Sequence, residues 1–231
     1  ALNTWRDMYV YTPPGYDAST SEKYPVLYLL HGGGEVQRGW ATQGKTDLIM
    51  DNLIAEKKAK PMLIVMMDGN VANSDGLAGF NENVLKAFEN ELKVGVIPFV
   101  ESNFRVETDA KNRALAGLSM GGLQTLYAGI KNTNMFSSLG VFSSGWFANT
   151  PKLSDPQYAF MKENASTINS NLKNFWISQG GKEDIAHQNG QIMMKKFDEM
   201  GIKYTYSEYA GGHSWPVWRH DLFMFAPLLF K

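Results

Sequence analysis

The sequence predicts an α/β fold, a mostly parallel sheet with helices on both faces. Three observations predict it. Short apolar runs of strand length alternate along the chain with stretches whose apolar residues repeat at i, i+3, i+4 and i+7. One junction of this kind, Ala114-Leu115-Ala116 followed by Gly117-Leu118-Ser119-Met120-Gly121-Gly122 and then by Leu123, Leu126, Tyr127 and Ile130, reads as strand, tight turn, helix. The chain is 231 residues long and 44% hydrophobic, enough for one domain with a large core. There is no internal repeat, linker or low-complexity tract, so the expectation is a single domain over residues 1–231.

The elements follow in order. Met8-Tyr9-Val10-Tyr11 is a strand within a strand-like run from Arg6, stopped by Pro13-Pro14-Gly15. Val26-Leu27-Tyr28-Leu29-Leu30 is uniformly apolar, as a strand buried on both faces should be, and enters His31-Gly32-Gly33-Gly34. A helix spans about Lys45 to Lys57, with Leu48, Ile49, Leu53 and Ile54 on its apolar side. Met62 to Met67 is the next strand and ends at Asp68-Gly69. A long helix covers Asn83 to Phe104, with Val84, Leu85, Phe88 and Leu92 inward and a kink expected at Pro98. After the serine strand and its helix come a strand at Leu139–Phe142, a polar loop and helix over Pro151–Asn171, and a strand at Asn174–Ser178 broken by Gly180-Gly181. A helix over Gln188–Met200, a strand over Lys203–Tyr209 and a last helix with an aromatic face over Trp215–Phe230 complete the chain.

Bulk composition excludes several classes of function. A net charge of −1 without a basic run argues against nucleic acid or a membrane surface as partner. No apolar stretch reaches the roughly 18 residues of a membrane span. There are no cysteines, which removes thiol catalysis, cysteine-ligated zinc and disulfides. The four histidines are scattered and no H-E-x-x-H occurs, so no metal site is expected. No signal peptide is visible; the expectation is that Ala1 follows a processed or trimmed segment.

Strand, Gly-x-Ser-x-Gly and helix together form the context of a nucleophile elbow, in which the serine hydroxyl stands proud of the sheet. Gly117 and Gly121 are required where side chains would strike the neighbouring strand and helix. The plainer alternative is a Gly-rich turn with Ser119 as helix cap. A serine hydroxyl needs a base and an acid to orient that base, and in this arrangement they follow in the order serine, acid, histidine. His213 lies in Gly211-Gly212-His213-Ser214-Trp215, just past a strand, and is the candidate base; His187 and His220 fall at or on helices. Asp184, carried by Gly180-Gly181-Lys182-Glu183 beyond a strand end, is the candidate acid, with Glu183 its neighbouring rival and Asp155 and Asp221 weaker ones. Asp68 precedes the serine and reads as a structural loop carboxylate.

Ester hydrolysis passes through an oxyanion that needs preset N–H donors. The backbone N–H of Met120 is one candidate, and Gly33, in the Gly-rich turn after Leu30, is the other. His31 at that strand end reads as a structural hydrogen-bonding residue. The turn lacks the Lys-Ser/Thr of a P-loop, and no dinucleotide fingerprint is present. Trp40, Trp146 with Phe147, and Trp215 follow strand ends or the candidate base; they are expected either to line a pocket for an aromatic acyl group or sugar ring, or to pack in the core. Trp218 and the Phe223/Phe225 region read as helix packing.

With these residues placed, the chain resembles the feruloyl and acetyl-xylan esterases of carbohydrate esterase family one, in the esterase D superfamily. The resemblance is carried by Val10-Tyr11-Thr12-Pro13-Pro14-Gly15-Tyr16, by Tyr24-Pro25-Val26-Leu27-Tyr28-Leu29-Leu30-His31-Gly32, by Arg113 to Gly122 and by Gly212-His213-Ser214-Trp215 near Trp218-Arg219. It implies an α/β-hydrolase fold, a two-step acyl-enzyme mechanism and no cofactor. Position by position it implies Ser119, Asp184 and His213 as triad, with Gly33 and Met120 as oxyanion donors. Relatives often carry Gly-x-x-Asp where this chain reads Gly180-Gly181-Lys182-Glu183-Asp184, which keeps Glu183 open as the acid. The amino-terminal region is short for the family, so an esterase domain cut from a longer chain is expected, with a fused xylanase or carbohydrate-binding module as its partner. The resemblance also implies an acylated plant polysaccharide as substrate and a secreted or periplasmic bacterial enzyme. Its first reading is release of ferulate from arabinoxylan. An acetyl-xylan esterase, and a general carboxylesterase, thioesterase or acyltransferase, remain alternatives on the same scaffold. A catalytically inactive carbohydrate-binding domain is the alternative of another class, against which the intact Ser-Asp-His set argues.

Overall fold

The computed structural model describes residues 5–16, 21–71, 81–146 and 151–231. Phe147 therefore lies outside the described residues. Seven strands form one sheet among these residues: β1 (Met8–Tyr11), β2 (Val26–Leu30), β3 (Leu63–Met67), β4 (Arg113–Leu118), β5 (Ser138–Phe142), β6 (Asn174–Gln179) and β7 (Thr205–Glu208). Their order is β1-β3-β2-β4-β5-β6-β7; β1 pairs antiparallel with β3, and every other pair is parallel. This is the mostly parallel sheet of an α/β-hydrolase fold.

The apolar runs are uniformly buried because both faces of the sheet are covered. Side chains alternate across the sheet, so each central strand feeds two cores. Tyr28, Leu30, Leu63, Val65, Leu115, Leu139, Val141, Phe175 and Ile177 point to one face. There they meet Phe88 of α3 (Glu82–Glu91), Leu123 and Leu126 of α5 (Met120–Lys131) and Phe197 of α8 (His187–Met200). Leu27, Leu29, Ile64, Met66, Ala114, Ala116 and Trp176 point to the other. They meet Met50 and Leu53 of α2 (Thr46–Ala55) and Leu222 and Phe225 of α9 (Trp215–Phe225). A short helix, α1 (Gly39–Thr42), precedes α2.

Four elements differ in detail from the sequence expectation. Leu48 faces solvent at 56% exposure, and Thr46, Met50 and Leu53 supply the buried side of α2. The helix expected over Asn83–Phe104 starts one residue earlier, where the Asn81 side chain accepts the Val84 N–H. It passes Pro98 without ending: α3 continues through a π-helical segment, Leu92–Val96, into α4 (Ile97–Asn103). Proline has no N–H and its ring crowds the carbonyl four residues back, so the ladder widens just before it. Pro151–Asn171 is helical almost throughout, as α6 (Pro151–Glu163) and α7 (Ala165–Asn171). Its polar composition concealed a buried side made of Leu153, Tyr158, Met161 and Ile168. The last helix ends at Phe225 and tightens into a 3₁₀ turn, Ala226–Leu228.

The β4–α5 junction is packed backbone to backbone. A Cβ on Gly117 would stand 2.5 Å from the Gly121 carbonyl carbon and oxygen and 2.8 Å from Leu30 Cβ. A Cβ on Gly121 would stand 2.6 Å from the His31 oxygen. Backbone atoms on both sides leave no side chain free to move aside. Gly117→Ala should therefore destabilise the protein by about 3 kcal/mol, read as a lowered urea midpoint at unchanged m-value. An unaltered midpoint contradicts this packing.

Candidate active site

The site forms at the carboxyl ends of β2, β4, β6 and β7, where four loops converge. The first carries Ser119. Its backbone sits at φ 52°, ψ −114°, a region that disfavours any residue with a Cβ. The turn is held on both sides: the Ser119 N–H donates to the Phe142 oxygen at 2.9 Å, and the Ser144 hydroxyl donates to the Ser119 oxygen at 2.7 Å. This lifts the Ser119 side chain above the strand ends and starts α5 at Met120. Helices leave their first N–H groups without intrahelical partners, and Met120, the first residue of α5, carries one of these beside the serine.

The second and third loops bring the base and the acid together. Beyond β6, Gly180 packs so closely on Gly212 that a Cβ would lie 2.1 Å from the Gly212 oxygen. The Gly180 oxygen accepts N–H bonds from Gly211 at 3.2 Å and Gly212 at 2.8 Å. Gly181 (φ 79°) and Gly212 (φ 69°) take left-handed turns that aim Asp184 and His213 at each other. Asp184 is buried and Glu183 exposed. His213 Nδ1 lies 2.7 Å from Asp184 Oδ1, and His213 Nε2 lies 2.9 Å from Ser119 Oγ. An ionised carboxylate only accepts, so the Nδ1–H faces Asp184 and Nε2 is left to accept the serine proton. Ser119, His213 and Asp184 thus form one hydrogen-bonded line.

Two buried carboxylates near this line ionise very differently. Burial by itself pushes the Asp184 carboxyl up. Hydrogen bonding to His213, the nearby Ser143 hydroxyl and the N–H groups of Ala186 and Gly180 outweigh it and hold the group down at about 2. Asp221, on α9, is 1% exposed, and its Oδ2 finds no hydrogen-bond partner among the described residues. Burial pushes it up to about 7; the Ser178 hydroxyl lowers it a little, and the charge of Asp184 adds to the rise.

The fourth loop, after β2, lies against the serine. A Cβ on Gly32 would stand 3.4 Å from Ser119 Cβ and 2.7 Å from Leu118 Cδ1. Gly33 is exposed at the crest of this turn, which closes through the Glu35 N–H on the Gly32 oxygen at 3.3 Å. Both nitrogens of His31 are engaged within the scaffold: Nδ1 faces the Gly32 oxygen at 2.8 Å and Nε2 accepts the Gly69 N–H at 2.9 Å. His31 therefore has no nitrogen to offer a substrate. Asp68 Oδ1 accepts from the Asn70 N–H at 2.9 Å and from Asn70 Nδ2 at 2.8 Å, with Arg6 alongside. His187 pairs with Glu208 at 3.1 Å at the start of α8, and His220 stacks on Tyr209 with ring centroids 3.9 Å apart.

The tryptophans require a correction. Trp40 is 1% exposed, donates its indole N–H to the Leu30 oxygen at 2.8 Å and packs edge-on against Phe142. Trp146 is fully buried in the other core. Both belong to the packing of the fold, the second of the two roles expected for them. Their position just after strand ends is where the sheet's two cores close over, and large rings fill that space. Trp215 is only partly buried and stands beside the base loop, with its indole N–H on Glu35 Oε1 at 2.9 Å. Trp218, read from sequence as helix packing alone, also lies edge-on to His213 at 5.1 Å between centroids. Its signal was its place three residues after Trp215, on the same side of α9. Glu35 had no signal, since a carboxylate in a Gly-rich turn looks solvated.

The comparisons agree with this architecture. A family model described as Putative esterase matches residues 1–228. An endo-1,4-beta-xylanase/feruloyl esterase of Xylanibacter ruminicola is 39% identical over 225 residues, covering 96% of this chain and 29% of that protein. Endo-1,4-beta-xylanase Y of Acetivibrio thermocellus is 25% identical over 253 residues, covering 99% of this chain and 22% of that protein. The chain thus spans less than a third of the length of these two relatives. A solved ferulic acid esterase superposes with a TM-score of 0.83 at 25% identity, covering 98% of this chain and 92% of the other. A ferulic acid esterase from Anaeromyces mucronatus, solved with ferulic acid, shares the fold at a TM-score of 0.81 and 24% identity, over 97% and 85% of the two chains.

The raised Asp221 has a measurable consequence. In the unfolded chain this group ionises near 3.8 and in the folded chain near 7. Between those values the unfolded state releases a proton that the folded state keeps, so stability falls as pH rises through the window and levels off above it. Asp221→Asn should flatten the decline in Tm between pH 4 and pH 7. A wild-type slope that persists in the variant overturns the assignment to Asp221.

Proposed function

The chain belongs to the Putative esterase family and is a serine esterase, and on that premise we propose that it releases ferulate from feruloylated arabinoxylan through a Ser119–His213–Asp184 acyl-enzyme mechanism. The observation that carries the mechanism is the line of hydrogen bonds at 2.9 and 2.7 Å from Ser119 through His213 to Asp184, on a strained strand-to-helix turn. Ser119 Oγ attacks the ester carbonyl as its proton passes to His213 Nε2, and Asp184 stabilises the imidazolium that forms. The negative charge that develops on the carbonyl oxygen is met by the N–H groups of Met120 and Gly33. His213 gives its proton to the leaving sugar oxygen, then activates a water that attacks the acyl-serine. Collapse of that second adduct frees ferulate and returns the proton to Ser119.

The acyl group and the polysaccharide are supported by the relatives: one is named a xylanase/feruloyl esterase and another a xylanase. Trp215, partly buried beside the base loop, is the tryptophan to which we assign contact with the acyl ring. The same relatives support a longer xylan-degrading chain around this domain. Action on a polymer too large to enter the cell supports a secreted or periplasmic site.

Ser119→Ala should leave the fold intact and lower kcat by roughly 10⁴-fold or more, and Asp184→Asn should cost far more than Glu183→Gln. Near-normal turnover by folded Ser119→Ala overturns the mechanism, and a larger loss in Glu183→Gln moves the acid by one residue. The substrate is tested by kcat/KM on methyl ferulate, a feruloylated arabinoxylan oligosaccharide and acetylated xylan. The feruloylated oligosaccharide should be best, because remote sugar contacts help carry the ester to its transition state. Acetate release without ferulate release makes the domain an acetyl-xylan esterase; turnover of short thioesters alone removes it from plant polysaccharide.

A further inference from the structure

The oxyanion loop and the base loop are joined by one side chain. Glu35 Oε2 accepts the N–H of Gly32 at 3.1 Å, and Glu35 Oε1 accepts the indole N–H of Trp215 at 2.9 Å. Gly32 is the residue whose Cα sits against Ser119, and Trp215 is two residues past His213. The carboxylate therefore spans from the loop that would receive the oxyanion to the loop that carries the base. Its seat is fitted: at Gly39 a Cβ would stand 3.3 Å from Trp215 Cζ2 and 3.5 Å from Glu35 Oε2. The Glu35 main chain is held from behind, its oxygen accepting from Asn70 Nδ2 at 2.8 Å, and Asn70 is in turn bound to Asp68.

From Trp215 the contact runs on to the base. Trp215 lies edge-on to both Trp40 and Trp218 with centroids 5.2 Å apart in each case, and Trp218 lies edge-on to His213 at 5.1 Å. Trp40 is itself bonded to the last residue of β2. One carboxylate with two charge-assisted bonds thus sets the separation between the Gly-rich turn and the histidine loop. The Gly32–Glu35 turn makes no regular secondary structure and Trp215 is the first residue of α9, so no ladder hydrogen bond joins the two sides directly. Oxyanion donors are worth most when they are in place before charge develops, and small displacements are expensive.

We infer that Glu35 is a positioning residue for the esterase reaction, a clamp that holds the Gly32–Gly34 turn and the Trp215–His213 loop in register for the transition state. The inference rests on the serine esterase reading given above. Glu35 touches no reacting atom in this role; it acts through the Gly32 N–H and through Trp215.

The test uses a small chromogenic acetate, so that it does not depend on the natural acyl group. Glu35→Ala should lower kcat roughly tenfold to a hundredfold, short of the roughly 10²- to 10³-fold that follows loss of an oxyanion donor itself. KM should stay within about twofold, because a register error is felt in the transition state more than in the bound substrate. Affinity for an arylboronic acid, which forms a tetrahedral adduct on the serine, should fall in proportion to kcat. Trp215→Phe keeps a ring but loses the N–H and should show the same pattern. The double variant should lose less than the product of the two single losses, since both break one clamp. Glu35→Gln, which keeps one acceptor, should recover part of the activity. Variants that fold and match wild-type kcat, or that lose Tm and KM alone with boronate affinity intact, overturn the clamp. Wild-type protein that neither turns over the acetate nor takes the boronate instead overturns the esterase reading, and the clamp falls with it.

Discussion

The conformation of Ser119 is the constraint on which the site depends. A residue with a Cβ at φ 52°, ψ −114° carries strain on the order of 1–3 kcal/mol, and it persists only where its surroundings over-determine it. Here they do so three times. Gly117 and Gly121 let β4 and α5 approach until only hydrogen fits between them and Leu30. The Phe142 oxygen holds the Ser119 N–H, and the Ser144 hydroxyl holds its oxygen. Both holding groups come from β5 or the residues just past it, so the neighbouring strand takes up the strain of the turn. The packing that makes the centre of the sheet rigid is the same packing that presents the hydroxyl.

A second organising feature is the contrast among carboxylates. Asp184 and Asp221 are both buried, yet one is held ionised and the other is pushed towards neutrality. The difference is hydrogen bonding. Asp184 Oδ1 faces His213 and accepts from Ala186, and its Oδ2 accepts from Gly180; Asp221 Oδ2 has no partner among the described residues. A permanently ionised Asp184 suits a group that must stabilise an imidazolium. Burial and the charge of Asp184 both disfavour ionisation of Asp221, which limits a second negative charge that would make Asp184 harder to keep ionised. Glu35 meets a third requirement. Only partly buried, it spends each oxygen on one N–H, and both of those N–H groups belong to loops of the site.

The tryptophans divide along the same boundary between core and site. Trp40 and Trp146 are buried in the two cores, one on each face of the sheet. Trp215 and Trp218 lie on the first turn of α9 and face the histidine loop. Rings in edge-on contact, from Phe142 through Trp40 and Trp215 to Trp218, make a stiff wall on one side of the base. A wall of this kind restricts the imidazole to few orientations, which complements the hydrogen bond that His213 Nδ1–H donates to Asp184.

The order of elements, the central strands, the serine turn and the loop that carries His213 were legible in the sequence because each has a local cause. Strands buried on both faces must be apolar throughout, helices on a sheet must repeat near 3.6, and a turn with no room for Cβ atoms must place glycine at fixed offsets. Other features are set by groups far apart in the chain. Which of Glu183 and Asp184 turns inward depends on Gly180 lying against Gly212, a contact between residues 32 positions apart. Burial of Trp40 and Trp146 depends on which helices cap the strand ends. Helical residues in Pro151–Asn171 depend on α8 accepting their apolar side, and the continuation of the helix from α3 into α4, which carries Pro98 in its first turn, depends on the core contacts of Leu92, Val96, Ile97 and Val100. Glu35 is the clearest case. Nothing beside it in the chain marks it, because one of its two partners, Trp215, stands 180 residues away. Patterns with a local steric or burial cause are written in the sequence; the pairing of polar groups across loops is decided only when the sheet brings their ends together.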